Sequence, residues 1–348
     1  MPRLRPVCSM AKNCPSSKPL LSEESMTTVE QIVSREAPSD ILTHPAVLAW
    51  KRFQPDSRSA AAVSLLKKRS KTAIYKMDGV GPRGSSVVAK LCRWHLAAHE
   101  RTIYQQILSR LPVSHPLYYG FIKESEDHDW LFLEYIEGEQ YSRSRDDHTV
   151  LVARWLGLLH STAAQIAHTA QLPDRGPEYH LIHLREARDN LQRNRKLLKL
   201  PAAELAVIEE VISQCDFLEW RWDHIQQLCD RMPRTLIHGD FKPRNVLIRP
   251  DGGESSVFPF DWEASGWGVP TGDLAYVDIA SYLEASAPRW PHLTVVDVRI
   301  MKAIGRIFRG LEEFRWESEK FDPRWEASTI KLNYYRERMS EAIEMTEW

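Results

Sequence analysis

The chain has 348 residues, which is long enough for two domains. Of these residues 43% are hydrophobic and 27% are charged, as is usual for a soluble globular protein. A formal net charge of −1 argues against binding nucleic acid or an anionic membrane through a general electrostatic field. No apolar run reaches the roughly 18–20 residues of a membrane span, and five cysteines without framework spacing favour reduced thiols, so we expect a cytoplasmic protein.

The first half of the chain predicts a tail followed by a small sheet. Residues 1–40 are rich in Pro, Ser, Lys and Glu without a sustained period, which predicts disorder. Residues 41–136 then form the first folded unit. Its strand-like runs are 61–66, 72–77, 86–91, 118–122 and 130–136, and its one predicted helix covers 97–111 and ends before Pro112.

The second unit, residues 137–348, is mainly helical. Apolar residues at helical spacing predict helices over 149–167, 181–200, 202–228, 295–314 and 325–345. Strand-like runs are expected only around the tract 236–248. The fold class predicted from this order is α+β.

That tract carries the clearest chemical pattern of the chain. The apolar pair Leu236-Ile237 leads into His-Gly-Asp, which places Asp240 on a short loop, and Asn245 follows five positions later. A second apolar run ends at Asp261 in Asp-Trp-Glu. Phosphoryl transfer from Mg–ATP uses a carboxylate that orients the attacking hydroxyl, and an amide and a carboxylate that hold the metal. The pattern therefore predicts Asp240 as the base, and Asn245 and Asp261 as ligands of Mg²⁺.

These two motifs, placed after a strand-rich unit, resemble the aminoglycoside phosphotransferase and choline kinase-like family over residues 60–285. The resemblance implies a bilobal protein-kinase-like fold, with a small antiparallel-sheet N-lobe (41–136) and a larger, mainly helical C-lobe (137–348). It also implies transfer of the γ-phosphoryl group of ATP to a hydroxyl of a small molecule, with GTP left open as the donor.

The same resemblance implies roles for residues of the N-lobe. Lys90, in Val-Val-Ala-Lys, is similar to the strand lysine that holds the α- and β-phosphates, and Glu100 to the helix glutamate that pairs with it. The run 131–138 resembles the hinge between the lobes. There the carbonyl of Glu134 and the amide of Ile136 are the expected adenine contacts.

The loop that covers the phosphates is harder to place. Residues 79–84 match G-x-G-x-x-G, but Lys90 follows Gly84 by six residues, which leaves no room for an intervening strand. We therefore interpret 79–84 as a turn between the second and third strands. The phosphate loop is assigned to 68–72, with contacts expected from Ser70, Lys71 and Thr72.

Supporting roles are predicted around both motifs. His238 is expected to brace the loop backbone, and Asp273 to accept hydrogen bonds from it. Lys242 or Arg244 could neutralise charge that develops on the transferring phosphoryl group, or could equally be a solvated loop charge. We assign Lys242 to the phosphates. Two other readings stay open. Trp262 or Trp267 could stack on a ligand, and Cys92, His95, His99 and Glu100 could form a zinc site.

The acceptor is expected to be a small molecule. Asp273 follows Asp261 within 12 positions, which leaves no room for the activation segment of a protein kinase. The near-neutral charge makes a polycationic aminoglycoside only one option, beside a nucleoside or macrolide antibiotic whose phosphorylation gives resistance. The alternatives are a kinase of a primary metabolite, such as choline, a sugar or an amino alcohol, and a nucleotide-binding regulatory pseudokinase.

Overall fold

The computed structural model of the protein describes residues 41–69, 72–166, 171–197, 200–320 and 326–346. The predicted tail, residues 1–40, lies outside the described residues, as do Ser70 and Lys71 of the predicted phosphate loop. None of the helices in the described ranges is long and apolar enough to cross a membrane.

The first lobe is built on an antiparallel sheet, as predicted. The five strands are β1 (Ala62–Arg69), β2 (Thr72–Asp78), β3 (Val87–Arg93), β4 (Tyr118–Lys123) and β5 (His128–Glu134). They pair in the order β1-β2-β3-β5-β4, so β3 lies in the middle of the sheet. Because neighbouring strands cover β3 on both edges, Lys90 projects from a fixed backbone position.

Two helices pack against this sheet, one more than predicted. Helix α1 (Pro45–Phe53) begins at the cap residue His44, whose Nδ1 accepts a hydrogen bond from the Ala46 amide at 3.2 Å. Its Val47 and Trp50 are buried in the core of the lobe. Helix α2 (Trp94–Thr102) starts three residues before the predicted helix and continues to Arg110 through a widened turn and a 3-10 turn.

The second lobe is mainly helical. Its helices are α3 (Asp146–Ala163), α4 (Pro177–Leu197), α5 (Ala202–Trp220), α6 (Trp222–Asp230), α7 (Thr271–Leu274), α8 (Ile279–Ser286), α9 (Val295–Glu319) and α10 (Glu326–Glu344). The predicted helix over 202–228 is two helices, because the backbone at Arg221 leaves the helical conformation. Helices α7 and α8 were not predicted.

Short strands of this lobe position the two motifs. They are β6 (Glu139–Gln140), β7 (Asp174–Arg175), β8 (Thr235–Ile237), β9 (Val246–Asp251), β10 (Glu254–Pro259) and β11 (Gly266–Gly268), arranged as sheets β10-β9-β6 and β7-β11-β8. The prediction that strands occur only around 236–248 was wrong, since β6, β7 and β11 lie outside that tract. These strands have only two or three residues, and such short runs show no alternation that sequence analysis could detect. The loop with Asp240 connects β8 to β9, and Asp261 follows β10.

Helices α7 and α9 approach each other closely at one glycine. A Cβ atom built on Gly305 would lie 1.8 Å from the carbonyl oxygen of Thr271. Since backbone atoms cannot yield easily, we expect Gly305→Ala to lower the free energy of unfolding by about 1–3 kcal/mol. A lower midpoint of thermal unfolding would report this. The control is Gly272→Ala, whose Cβ would have no atom within 4 Å; equal midpoints for the two variants would contradict the close approach.

Candidate active site

A buried lysine links the two lobes. Lys90 Nζ lies 2.6 Å from Glu100 Oε1 on α2 and 2.7 Å from Asp261 Oδ1 in the second lobe. Lys90 is 4% exposed and Glu100 is 1% exposed. Burial would lower the pKa of Lys90, but Glu100 and Asp261 together raise it well above its ordinary value. The structure thus brings together three residues that the sequence assigned to one site.

The two carboxyl groups beside Lys90 differ in their proton affinity. Burial raises the pKa of Glu100 to about 7, against the opposing effect of Lys90. Burial would also raise the pKa of Asp261, but Lys90 and Lys67 hold it well below its usual range. Lys67 Nζ on β1 lies 3.4 Å from Asp261 Oδ2. Asp261 is therefore an ionised carboxylate, and Lys67 is a site residue that sequence reasoning missed.

The carboxyl groups near Lys90 suit a hard divalent cation. Oxygen atoms of Glu100, Asp261 and Glu263 lie within 4.8 Å of one another. Burial and the neighbouring Asp261 raise the pKa of Glu263, although Lys90 and Lys67 act in the opposite direction. Mg²⁺ prefers such oxygen ligands. Glu263 had been given no role, since only its place after Asp261 in the motif was visible.

Asn245 is held next to this cluster by its neighbours. Its Nδ2 donates to the carbonyl oxygen and to Oδ2 of Asp240 at 2.9 and 3.0 Å, which leaves the amide oxygen available to a cation. The Asn245 carbonyl accepts a hydrogen bond from the Phe260 amide at 3.0 Å. Asp261, the next residue, has left-handed backbone angles (φ 68°, ψ 58°), a conformation in which Asp is enriched. The two predicted metal ligands therefore belong to adjoining, hydrogen-bonded segments.

The loop that carries Asp240 is fixed from below by Asp273. Oδ2 of Asp273 accepts a hydrogen bond from the His238 amide at 2.7 Å, and Oδ1 from the Gly239 amide at 3.1 Å, as predicted. Gly239 has φ +80°, and a Cβ there would lie 2.4 Å from the Ala264 carbonyl oxygen. Only glycine permits such a close approach to Ala264. The Asp273 carboxylate also lies 3.3 Å from His160, a residue that was not predicted.

His238 braces the same loop, which confirms the structural role expected for it. Its Nδ1 accepts a hydrogen bond from the Asp240 amide at 3.3 Å. The proton therefore lies on Nε2, which donates to the Phe260 carbonyl at 3.1 Å. The ring is completely buried. His238 connects the backbone of the Asp240 loop to the segment that leads into Asp261.

Asp240 carries two cationic neighbours. Lys242 Nζ lies 2.9 Å from Oδ1, and Arg244 Nη2 lies 3.1 Å from Oδ2. Burial would raise the pKa of Asp240, but Lys242 and Arg244 lower it below its ordinary value. Lys242 also pairs with Glu313 of α9 at 2.9 Å. Asp240 is an ionised carboxylate that can orient a hydroxyl, and the assignment of Lys242 to a phosphate stays a prediction.

The predicted nucleotide loops can be followed only in part. Of the predicted phosphate loop, Thr72 on β2 pairs with Arg69 on β1, and Ser70 and Lys71 lie outside the described residues. Residues 79–84 connect β2 to β3, as predicted. At the hinge, Glu134 ends β5, and none of the described residues accepts a hydrogen bond from the Ile136 amide. The adenine contacts of Glu134 and Ile136 stay predictions.

Burial and neighbouring residues argue against ligand stacking by Trp262 and against the zinc site, whereas stacking by the half-buried Trp267 stays a prediction. Trp262 is completely buried and packs 4.5 Å from the His238 ring, so it cannot stack on a ligand. Burial raises the pKa of the Cys92 thiol to about 12, which disfavours the thiolate that zinc requires. In the described part of the chain, Glu100 groups with Asp261 and Glu263 rather than with Cys92.

A cleft beside Gly239 contains a carboxyl group that the sequence did not single out. The cleft is also lined by Arg175, His180 and Glu312. Burial raises the pKa of Glu312 to about 8, although Lys242 and Arg309 act in the opposite direction. Glu312 is one of many glutamates on the helices, and only the packing of α9 against the Asp240 loop distinguishes it.

Comparison with known proteins agrees with this geometry. Residues 82–293, more than half of the chain, match the model of APH, the phosphotransferase enzyme family. The chain belongs to the phosphotransferase enzyme family. This confirms the resemblance inferred from the two motifs. A stretch of 68 residues is also 41% identical to acyl-CoA dehydrogenase family member 10 of Mus musculus. That match spans 18% of this chain and 6% of the mouse protein.

Solved structures of phosphotransferases share the fold. The complex of APH(2″)-IIIa with GDP and kanamycin is similar over 86% of this chain and 96% of its own, with 16% identity and a TM-score of 0.57. The structure of spectinomycin phosphotransferase with ADP and spectinomycin is similar over 83% of this chain and 94% of its own, with 12% identity and a TM-score of 0.55. Ethanolamine kinase of Plasmodium vivax covers 81% of both chains, with 15% identity and a TM-score of 0.54. The predicted bilobal kinase-like fold is confirmed.

The raised pKa of Glu312 predicts a pH-dependent stability. An acid whose pKa rises on folding, here from 4.5 to about 8, binds its proton more tightly in the folded state. The wild type should therefore lose stability relative to Glu312→Gln as the pH rises from about 4.5 to about 8. We expect a difference of about 1–2 kcal/mol, because the 25% exposure of the side chain weakens the effect.

Thermal midpoints of wild type and Glu312→Gln between pH 5 and pH 9 would measure this. The matched control is Glu319→Gln, on the exposed end of the same helix. If the difference between wild type and Glu312→Gln stays constant with pH, the Glu312 carboxyl is ionised throughout the range and its assigned environment is wrong.

Proposed function

We propose that the protein transfers the γ-phosphoryl group of ATP to a hydroxyl of a small molecule. The observation that carries this proposal is the contact of Lys90 with both Glu100 and Asp261, next to the loop that holds Asp240 and Asn245. A phosphate-binding cation, oxygen ligands for a metal and an ionised carboxylate are thereby gathered in one place. These are the parts that phosphoryl transfer requires.

On the donor side, Lys90 would hold the α- and β-phosphates, with Glu100 keeping its side chain extended. Asn245 and Asp261 would hold Mg²⁺, which when bound neutralises charge on the phosphates. The acidic groups around Lys90 favour a nucleotide that arrives with its metal, since bare phosphates would be repelled. GTP stays open as a second donor, because adenine recognition at Glu134 and Ile136 would depend on backbone groups.

On the acceptor side, Asp240 would align the hydroxyl with the γ-phosphorus. As the new O–P bond forms and the bond to the leaving ADP oxygen breaks, the hydroxyl proton passes to an Asp240 carboxylate oxygen. Lys242, already 2.9 Å from Asp240, is placed to balance negative charge on the transferring group. The low pKa of Asp240 keeps it ionised before the transfer.

The short segment after Asp261 supports a small acceptor. Between Asp261 and Asp273 the chain forms only the turn Trp262–Ala264, strand β11 and the start of α7. A protein substrate would need an extended platform in this region. An antibiotic and a primary metabolite are the two kinds of acceptor to screen. We place the enzyme in the cytoplasm, in accord with its unpaired, buried Cys92, Cys215 and Cys229.

Replacement of Asp240 tests the reaction itself. Asp240→Asn removes the proton acceptor while keeping the size of the side chain, so turnover should fall by about 10²–10⁴-fold. Nucleotide affinity should change little. ADP release, measured over a panel of hydroxyl-bearing antibiotics, nucleosides, sugars and amino alcohols, gives the rate, and mass spectrometry identifies the product. The control is Asp216→Asn, exposed on α5. Undiminished turnover of Asp240→Asn would refute the assignment, and nucleotide binding without turnover of any acceptor would favour a pseudokinase.

Replacement of Lys90 tests the nucleotide site. Lys90→Ala removes the cation that would contact the phosphates, so the affinity for Mg–ATP should fall about tenfold or more. Calorimetric titration with a non-hydrolysable ATP analogue measures the affinity, and circular dichroism reports whether the variant is folded. Lys123→Ala, at the exposed end of β4, is the matched control. An unchanged affinity of folded Lys90→Ala would place the phosphates elsewhere.

A further inference from the structure

Two buried histidines on α4 have unsatisfied ring nitrogens. His180 is 5% exposed and His183 is 6% exposed. Because they are three positions apart in a helix, they lie on the same face of it. The Nδ1 atom of each ring is buried and has no hydrogen-bond partner among the described residues. Leaving a buried polar atom unpaired is unfavourable, so each of these nitrogens calls for a water molecule or an ion.

Glu312 approaches this pair from α9. A ring nitrogen of His180, a ring nitrogen of His183 and a carboxyl oxygen of Glu312 lie within 4.8 Å of one another. His180 Nδ1 is 3.8 Å from Glu312 Oε1, which is too long for a hydrogen bond. Two ligand atoms bound at about 2.1 Å to one tetrahedral Zn²⁺ lie roughly 3.4 Å apart. The separation of these two atoms is therefore close to the one that a single metal ion bridges.

Aromatic packing holds the two imidazole rings in place. The His180 ring stacks on Phe308 of α9, with 3.9 Å between the ring centroids and 14° between the planes. The ring of Tyr179 packs edge-on against His183 at 4.2 Å. These ring contacts do not use the unpaired Nδ1 atoms as donors or acceptors. The rings are thus positioned by their carbon surfaces, and their nitrogens are left available to a ligand.

The two imidazoles are neutral, which is the form that binds a metal ion. Burial lowers the pKa of His180 well below its ordinary value and lowers the pKa of His183 to about 4. Arg175 contributes to both decreases. The carboxylate of Glu312 offsets that cation once an ion displaces its proton. The three ligands then supply two neutral nitrogens and one negative charge.

The ligand set favours a transition metal over Mg²⁺. Two imidazole nitrogens and one carboxylate oxygen are ligands of the kind that hold zinc with a fourth position left for water. Mg²⁺ instead prefers oxygen atoms alone, as Glu100, Asp261 and Glu263 offer beside Lys90. The narrow cleft at Glu312 extends to Gly239. The two groups of ligands therefore differ in chemistry, although both adjoin the Asp240 loop.

We propose that His180, His183 and Glu312 bind a divalent transition-metal ion of the zinc class, separate from the Mg²⁺ of the nucleotide site. The ion ties α4 to α9 beside the loop that carries Asp240. This site does not depend on the proposed kinase function, and no step of phosphoryl transfer is assigned to it. The pH-dependent stability expected from Glu312 is that of the metal-free protein, because a bound ion displaces the carboxyl proton.

Calorimetric titration with Zn²⁺ tests the site. The protein carries no histidine tag, is stripped of metal with a chelator, and is kept in excess Mg²⁺ to fill the carboxylates near Lys90. Wild type should bind one Zn²⁺. His183→Gln and Glu312→Gln should bind it about 100-fold more weakly, because even a group behind a metal ligand contributes about 10–100-fold to metal affinity. The control is His95→Gln, exposed on α2, which should bind like wild type. Equal affinity in all four proteins, or no binding by wild type, would overturn the proposal.

A spectroscopic measurement decides the question even where circular dichroism shows that His183→Gln does not fold. Electron paramagnetic resonance of one equivalent of Cu²⁺ bound to His95→Gln, which keeps all three proposed ligands, reports on the atoms that hold the metal. Hyperfine coupling to two imidazole nitrogens supports the site, and a signal from oxygen ligands alone overturns it. Neither measurement involves ADP release, so the metal site and the kinase function stand or fall separately.

Discussion

The buried ammonium group of Lys90 is the interaction on which the rest of the site depends. A charge that is 4% exposed is stable only when it is paired, and its two partners lie on different lobes. Glu100 comes from the helix that follows β3. Asp261 follows the end of β10 and lies 171 positions after Lys90 in the chain. Pairing both of them with Lys90 fixes the sheet of the first lobe against the helical lobe. The same contact sets the distance between Lys90 and Asp261, which we propose to hold the phosphates and the metal.

Acidic groups gather on the side of Asp240 that we propose for the nucleotide. The carboxyl groups of Glu100, Asp261 and Glu263 lie within 4.8 Å of one another, which disfavours ionisation of all three. Lys90 pairs with two of them. A net charge near zero over the whole chain therefore conceals a dense group of charges at this site.

The backbone around Asp240 and Asp261 is held rigidly by hydrogen bonds. Asp273 accepts from two successive amides of the Asp240 loop, and His238 joins that loop to the residue before Asp261. Two left-handed residues, Gly239 and Asp261, occur where the chain must turn within this frame. Conformations of this kind persist only when the surrounding contacts over-determine them. Asp240 and Asp261 are thus oriented before any ligand binds, which is what phosphoryl transfer requires.

The sequence by itself determined the elements and motifs whose information is local. The strands of the first lobe follow from short β-rich runs, and Asp240, Asn245 and Asp261 follow from their spacing along one loop and one strand. Helix boundaries, the break at Arg221 and the two-residue strands were missed, because packing decides them. Lys67, Glu263, Glu312 and the arginines around Tyr276 could not be singled out for a related reason: each is an ordinary charged residue until a distant segment packs beside it. Only the tertiary structure brings Arg143 and Arg338 to the same ring, since nothing in a stretch of sequence specifies a neighbour nearly two hundred positions away.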